Sequence, residues 1–148
     1  MSLSDRISEE IKTAMRAKDA KALESLRAVK AALMLAQTEG AGKLVDEAEE
    51  IKILQRLVKQ RRDSAAIYEQ QGRADLAQPE LEQAAVIEKF LPVQLTEAEI
   101  EAEVSAIISS NGLTGMANMG KVMGLASAQL AGRADGKSIS QVVKRLLA

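Results

Sequence analysis

Between Phe90 and Glu99 one helical pattern has to stop and another has to start, and this limits every fold open to the chain. Pro92 has no N–H to donate, so it cannot continue the helix that runs into it. Four residues on, Thr96-Glu97-Ala98-Glu99 has the spacing of a capping box, in which hydroxyl and carboxylate each satisfy an unpaired N–H of a new helix. Pro92 also biases Leu91 toward extended backbone. Phe90, Leu91, Val93 and Leu95 are too apolar for a solvated linker, so the joint is expected to be a packed hinge. The 148 residues then divide into a larger N-terminal helical module of about four helices, 1–92, and a compact three-helix C-terminal module, 93–148.

Composition supports helix on both sides of the joint. Hydrophobic residues make up 47% of the chain and are mostly Ala and Leu, while Tyr68 and Phe90 are the only aromatics. A sheet would need β-branched and aromatic runs that are absent, so the fold class is all-α. There is no Cys and no His, which removes disulfides, thiolate nucleophiles, histidine bases and zinc sites. Asp and Glu alternate with Lys and Arg along helical patterns, the signature of wet faces, so no metal site, cofactor or catalytic residue is expected. The N-terminus has Asp5, Glu9 and Glu10 in place of an apolar leader, and no run reaches the length of a membrane span. A cytoplasmic protein without membrane contact is the expectation.

Ser4 is the expected cap of a first helix with Ile7, Ile11, Ala14 and Met15 on one stripe, ending near Lys18. Asp19 should cap a second, with Leu23, Leu26, Val29 and Leu33 inward and a stop at Glu39-Gly40-Ala41-Gly42. Asp46-Glu47-Ala48-Glu49 opens the longest helix, which runs to about Gln71 before Gly72. Its inner side carries Ile51, Leu54, Leu57, Val58, Ala65 and Tyr68. At about 100° per residue Arg61 falls among these apolar residues, which calls for a carboxylate partner in a buried ion pair or for a groove. A fourth helix is expected from Asp75, with Pro79 in its first turn and Leu81, Ala84, Ala85, Ile87 and Leu91 inward.

After the joint, Ile100, Val104, Ile107 and Ile108 make one stripe that ends at Asn111-Gly112. Asn118 is the expected cap of the next helix, with Met119, Val122, Met123, Ala126 and Leu130 inward. Gly120 and Gly124 lie in its interior, where glycine costs up to about 1 kcal/mol against alanine, so close approach of another backbone is the expected reason for them. Gly132 stops this helix, a loop over Arg133–Lys137 follows, and Ser138 caps the last helix with Ile139, Val142, Val143 and Leu146 inward.

Met119-Gly120-Lys121-Val122-Met123-Gly124 followed by Ala131-Gly132-Arg133-Ala134-Asp135-Gly136 resembles the C-terminal signature of the YqeY family. Leu26-Arg27 with Lys30-Ala31-Ala32, the run Val58–Ser64, and Phe90-Leu91-Pro92 with Gln94-Leu95 agree with that family in order and spacing, so the resemblance covers nearly the whole chain. The family's C-terminal part is similar to the tail domain of the B subunit of the glutamine-dependent amidotransferase that completes Asn-tRNA and Gln-tRNA. There the tail grips tRNA and the chemistry lies elsewhere, so the resemblance implies a binder, linked to carbon–nitrogen ligase activity only through partner subunits. It places Gly120, Lys121, Gly124, Gly132, Arg133, Asp135 and Gly136 in the tail motif, with Lys121 and Arg133 as phosphate contacts. Ser127, Ala128, Gln129 and Ala131 depart from the more basic versions of the motif.

From Gly112 onward Lys121, Arg133, Lys137, Lys144 and Arg145 face a single acid, Asp135, a balance that suits a phosphate backbone. Lys144 and Arg145 also suit a helix C-terminus on macrodipole grounds alone. The scarcity of aromatics argues against single-strand binding, and no DNA partner is expected. Two readings stay open. One is a non-catalytic accessory protein that binds tRNA or structured RNA through Gly120, Lys121, Gly124, Gly132, Arg133 and Lys137. The other is a helical adaptor that docks a protein partner.

Overall fold

The computed structural model describes residues 2–40 and 45–148, and within them the chain is all-α. Its contacts divide it into two compact units, one ending at Leu91 and the other spanning Pro92–Ala148. Ala41 and Gly42, placed by the sequence in the stop after the second helix, lie outside the described residues.

The first unit comprises α1 (Leu3–Ala17), α2 (Ala20–Glu39), α3 (Glu47–Gln70) and α4 (Ala74–Glu88). The cap of α1 is Ser2, not Ser4: the Ser2 hydroxyl accepts the Asp5 N–H and the Asp5 carboxylate accepts the Ser2 N–H, a complete capping box. Asp19 and Asp46 cap α2 and α3 through the Ala22 and Glu49 N–H groups. Asp75 does not cap α4. It lies inside the first turn, where Arg73 grips both its carboxylate oxygens at 3.0 Å. Pro79 is therefore in the second turn rather than the first, and the missing N–H leaves an exposed stretch of helix one bond short.

The core of this unit gathers Ile7, Leu26, Val29, Leu33, Leu54, Val58 and Ile87, with Phe90 and Leu91 packed against it. Burying each large side chain stabilises the unit by roughly 1.5–3 kcal/mol, which is why the apolar stripes, more than helix propensity, decide how the helices assemble. Several expected inward residues are outside it: Met15 at 56% exposure, Leu81 at 39% and Ala85 are exposed, and Ile51 and Tyr68 are only half-buried. Ile53, assigned to no stripe by the sequence pattern, is buried in this core.

The second unit comprises α5 (Glu97–Asn111), a 3₁₀ turn at Met116–Asn118, α6 (Met119–Gln129) and α7 (Gly136–Leu147). Thr96 and Glu99 form the expected box at the start of α5, and Gly112 ends it in the left-handed conformation that glycine adopts without strain. The core takes Ile100, Val104 and Ile107 from α5, Val122, Ala126 and Leu130 around α6, and Ile139, Val142 and Val143 from α7. Leu95 packs against it. Val93 is 87% exposed, so of the joint's four apolar residues one serves neither core.

Two caps in this unit differ from expectation. The Asn118 side chain donates back to the Thr114 carbonyl and leaves α6 uncapped, because the 3₁₀ turn already carries the chain into the helix. The last helix is capped by Asp135, whose carboxylate accepts the Ser138 N–H at 2.6 Å. It therefore starts at Gly136, and Gly136 and Lys137 belong to its first turn instead of a loop.

Candidate nucleic-acid interface

Gly120, Lys121 and Gly124 all lie on α6 and all are exposed. A Cβ added at Gly120 or Gly124 would meet no atom within 4 Å, so the expected approach of another backbone does not occur among the described residues. The two glycines instead leave bare helix surface open to the outside. Lys121 enters no ion pair among the described residues. Its helical phase sets it beside Gly124, three residues on, while Gly120 and Gly124, four apart, share the adjoining strip of the helix.

Gly132 and Arg133 follow the end of α6. Gly132 is buried with φ 79°, a backbone conformation that would strain any residue with a Cβ. Arg133 is half-buried, its N–H donates to the Leu130 carbonyl at 2.9 Å, and its guanidinium makes one long bond of 3.3 Å to the Gln129 carbonyl. The chain rises about 1.5 Å per residue in a helix, so Lys121 and Arg133 sit near opposite ends of α6, roughly 15 Å apart along its axis. Such a pair can address two separate phosphates and not one. Lys137, exposed in the first turn of α7, is at the positive end of that helix, and Asp135 takes the anion position there.

The charge around these residues is less one-sided than the sequence after Gly112 suggests. Within Pro92–Ala148 five acids stand against five bases, because α5 brings Glu97, Glu99, Glu101 and Glu103 into the same unit. Arg145 is bound to Glu97 at 2.7 Å and to Glu101 at 2.9 Å, which removes it from the cations facing solvent freely. Glu99 is held below its ordinary carboxyl range by the Thr96 backbone N–H and hydroxyl, with the nearby Arg133 charge adding to the effect. Lys121, Arg133, Lys137 and Lys144 are the cations left for a ligand.

Sequence reasoning assigned Gln94 no role of its own. Its side-chain NH₂ donates to the Pro92 and Gly132 carbonyls, both at 2.8 Å, while the Leu95 N–H donates to the Arg133 carbonyl at 2.8 Å. A single amide amid the apolar joint was the available signal.

Arg61 lies in the first unit, half-buried on α3. Its Nε donates to Gln83 Oε1 at 3.0 Å and its Nη1 to the Leu57 carbonyl at 3.1 Å. The expected ion pair is replaced by a carboxamide contact, because the residue that α4 presents opposite it is Gln83. A cleft of about 210 Å³ in this unit is lined by Ala14, Leu26, Val86 and Phe90 among others, and Arg61 is not at its wall.

Among the described residues no group of Asp and Glu is arranged to hold a metal ion, and no helix is long and apolar enough to cross a membrane.

Comparison with known proteins adds two relatives and a family. Over 85 residues, 57% of this chain and 44% of the relative, the sequence is 38% identical to "Altered inheritance of mitochondria protein 41, mitochondrial" of Meyerozyma guilliermondii. Over 71 residues, 45% of this chain and 11% of the relative, it is 39% identical to a glutamyl-tRNA(Gln) amidotransferase subunit of Thermococcus gammatolerans. The chain thus matches less than half the length of either relative. The family model described as "Yqey-like protein" matches residues 4–147, nearly the entire sequence, and on that match the chain belongs to the YqeY family.

Proposed function

We propose that this protein is a non-catalytic accessory factor that binds tRNA or another structured RNA through its C-terminal unit, 93–148, and that this unit is a domain in its own right. The observation that carries the reading is the outer face of α6, where Lys121 stands beside Gly124, and where Gly120 and Gly124 share a strip over which a Cβ would meet no described atom within 4 Å. Glycine weakens an exposed helix, fully at mid-helix Gly124 and less at Gly120 in the first turn, so its presence twice on one face asks for something outside the protein that needs the room. A phosphate backbone fits, because it brings bulk and negative charge together, and Lys121, Arg133 and Lys137 supply the opposite charge. Likeness to an amidotransferase named for glutamyl-tRNA(Gln) supports RNA as the ligand. With no His and no Cys the chain has few groups for acid–base or nucleophilic work, so amide transfer would fall to partner subunits.

The neutral balance of the C-terminal unit favours a second reading, a helical adaptor that docks a protein on the same bare face. A titration with total tRNA and with duplex DNA, each at two salt concentrations, separates them. RNA-selective binding that weakens steeply with salt supports the first reading. Equal or absent binding of both nucleic acids removes it and leaves the adaptor.

A further inference from the structure

Two stretches singled out in the sequence, Pro92-Val93-Gln94-Leu95 and Gly132-Arg133, are 38 residues apart at the Gln94–Gly132 contact, and hydrogen bonds from Gln94 and Leu95 join them. The Gln94 amide has two protons. One goes to the Pro92 carbonyl and the other to the Gly132 carbonyl, both at 2.8 Å, so both donors are used and the side chain acts as a clamp. The next residue extends it, with the Leu95 N–H donating to the Arg133 carbonyl at 2.8 Å. Arg133 is held from the other side through its own N–H to the Leu130 carbonyl.

The backbone of Arg133 is therefore fixed at its N–H, at its carbonyl and at the carbonyl before it. Its guanidinium, in contrast, makes one hydrogen bond among the described residues, 3.3 Å to Gln129, and its charge is near Glu99 without a hydrogen bond to it, which leaves most of its donors unused. A pinned backbone with a largely unengaged cation suits a group presented to an external anion, since little ordering remains to be done on binding.

We propose that Gln94 is the positioning residue of Arg133: it holds the Gly132–Arg133 backbone so that the guanidinium points at a ligand phosphate. This rests on the RNA reading above. Glutamine is required because a carboxylate of the same shape carries no proton and would set a negative oxygen against two carbonyls.

The test uses the full chain with Gln94→Glu and Gln94→Met, the second removing the donors without adding charge. Each variant that folds should bind tRNA roughly tenfold more weakly, the worth of one charge-assisted hydrogen bond. The salt slope of Gln94→Met should fall by about one unit, as for Arg133→Ala, and combining Gln94→Met with Arg133→Ala should add nothing. NMR relaxation of the Arg133 Nε–H should report greater motion in both variants. A loss of thermal stability with unchanged affinity, slope and Nε–H motion would overturn the proposal and make the clamp purely structural. If the parent protein does not bind tRNA, the RNA reading falls, and unchanged Nε–H motion would then sink the positioning claim separately.

Discussion

Replacing Gly120 and Gly124 by alanine should stabilise the protein while weakening its ligand binding. In an exposed helix interior, alanine is favoured over glycine by about 0.8–1 kcal/mol. Gly124 is in the middle of α6 and should give the full amount, whereas Gly120, the second residue of the helix, should give roughly half. No clash offsets the gain, because a Cβ at either position would have no atom within 4 Å. The double variant should therefore gain about 1.2–1.5 kcal/mol. Urea unfolding followed by circular dichroism should show a higher midpoint at unchanged slope. In the same protein, tRNA affinity should fall, since the added methyl groups cover the surface left for the phosphate backbone. Lower stability in either single variant would mean that the space over α6 is occupied after all. Higher stability with unchanged tRNA affinity would mean that the glycines do not serve the ligand.

Three further outcomes are expected. Arg61→Ala should cost about 1.5–3 kcal/mol in urea titration, the loss of its hydrogen bonds to Gln83 and the Leu57 carbonyl, and a variant within error of the parent would show that these contacts add nothing. Glu99 has its folded pKa lowered from 4.5, so its contribution is present above the unfolded value and lost as pH falls through the lower folded one; the stability gap between the parent and Glu99→Gln should shrink below that range, and a constant gap would count against the capping role. A fragment covering 92–148 should unfold cooperatively, while one that starts at Thr96 and lacks Gln94 and Leu95 should be markedly less stable; equal thermal midpoints would show that the entry segment contributes nothing.

What could be read from the sequence was local, and what could not was long-range. The Thr96–Glu99 box and the Gly112 stop depend on residues within one turn, and their geometry follows from spacing alone. The inward stripes of α5 and α7 were equally legible, because a helical period fixes which side chains share a face. Two of the misplaced caps, at α1 and α7, arose where two candidates stood within a turn of each other. Asp135 and Ser138 both suit a helix start, and the choice fell to Asp135 because Gly136 and Lys137 can be helical. Ser2 and Ser4 posed the same choice, settled by Asp5 lying three residues after Ser2. The neighbour of Arg61 is 22 residues away on α4, and that of Gln94 is 38 residues away, so neither could be seen in a window of one helix. Arg145 counted as a free cation for the same reason, since Glu97 and Glu101 meet it only once α5 and α7 have packed.

The most direct test is charge reversal at Lys121 and Arg133 together, with tRNA affinity measured across a range of salt. Both side chains lie outside the apolar core, so the variant should fold like the parent. Its affinity should drop and its salt slope should fall by about two units, one for each lost phosphate contact. A folded double variant that binds tRNA with the parent's affinity and slope would contradict an RNA site on this face.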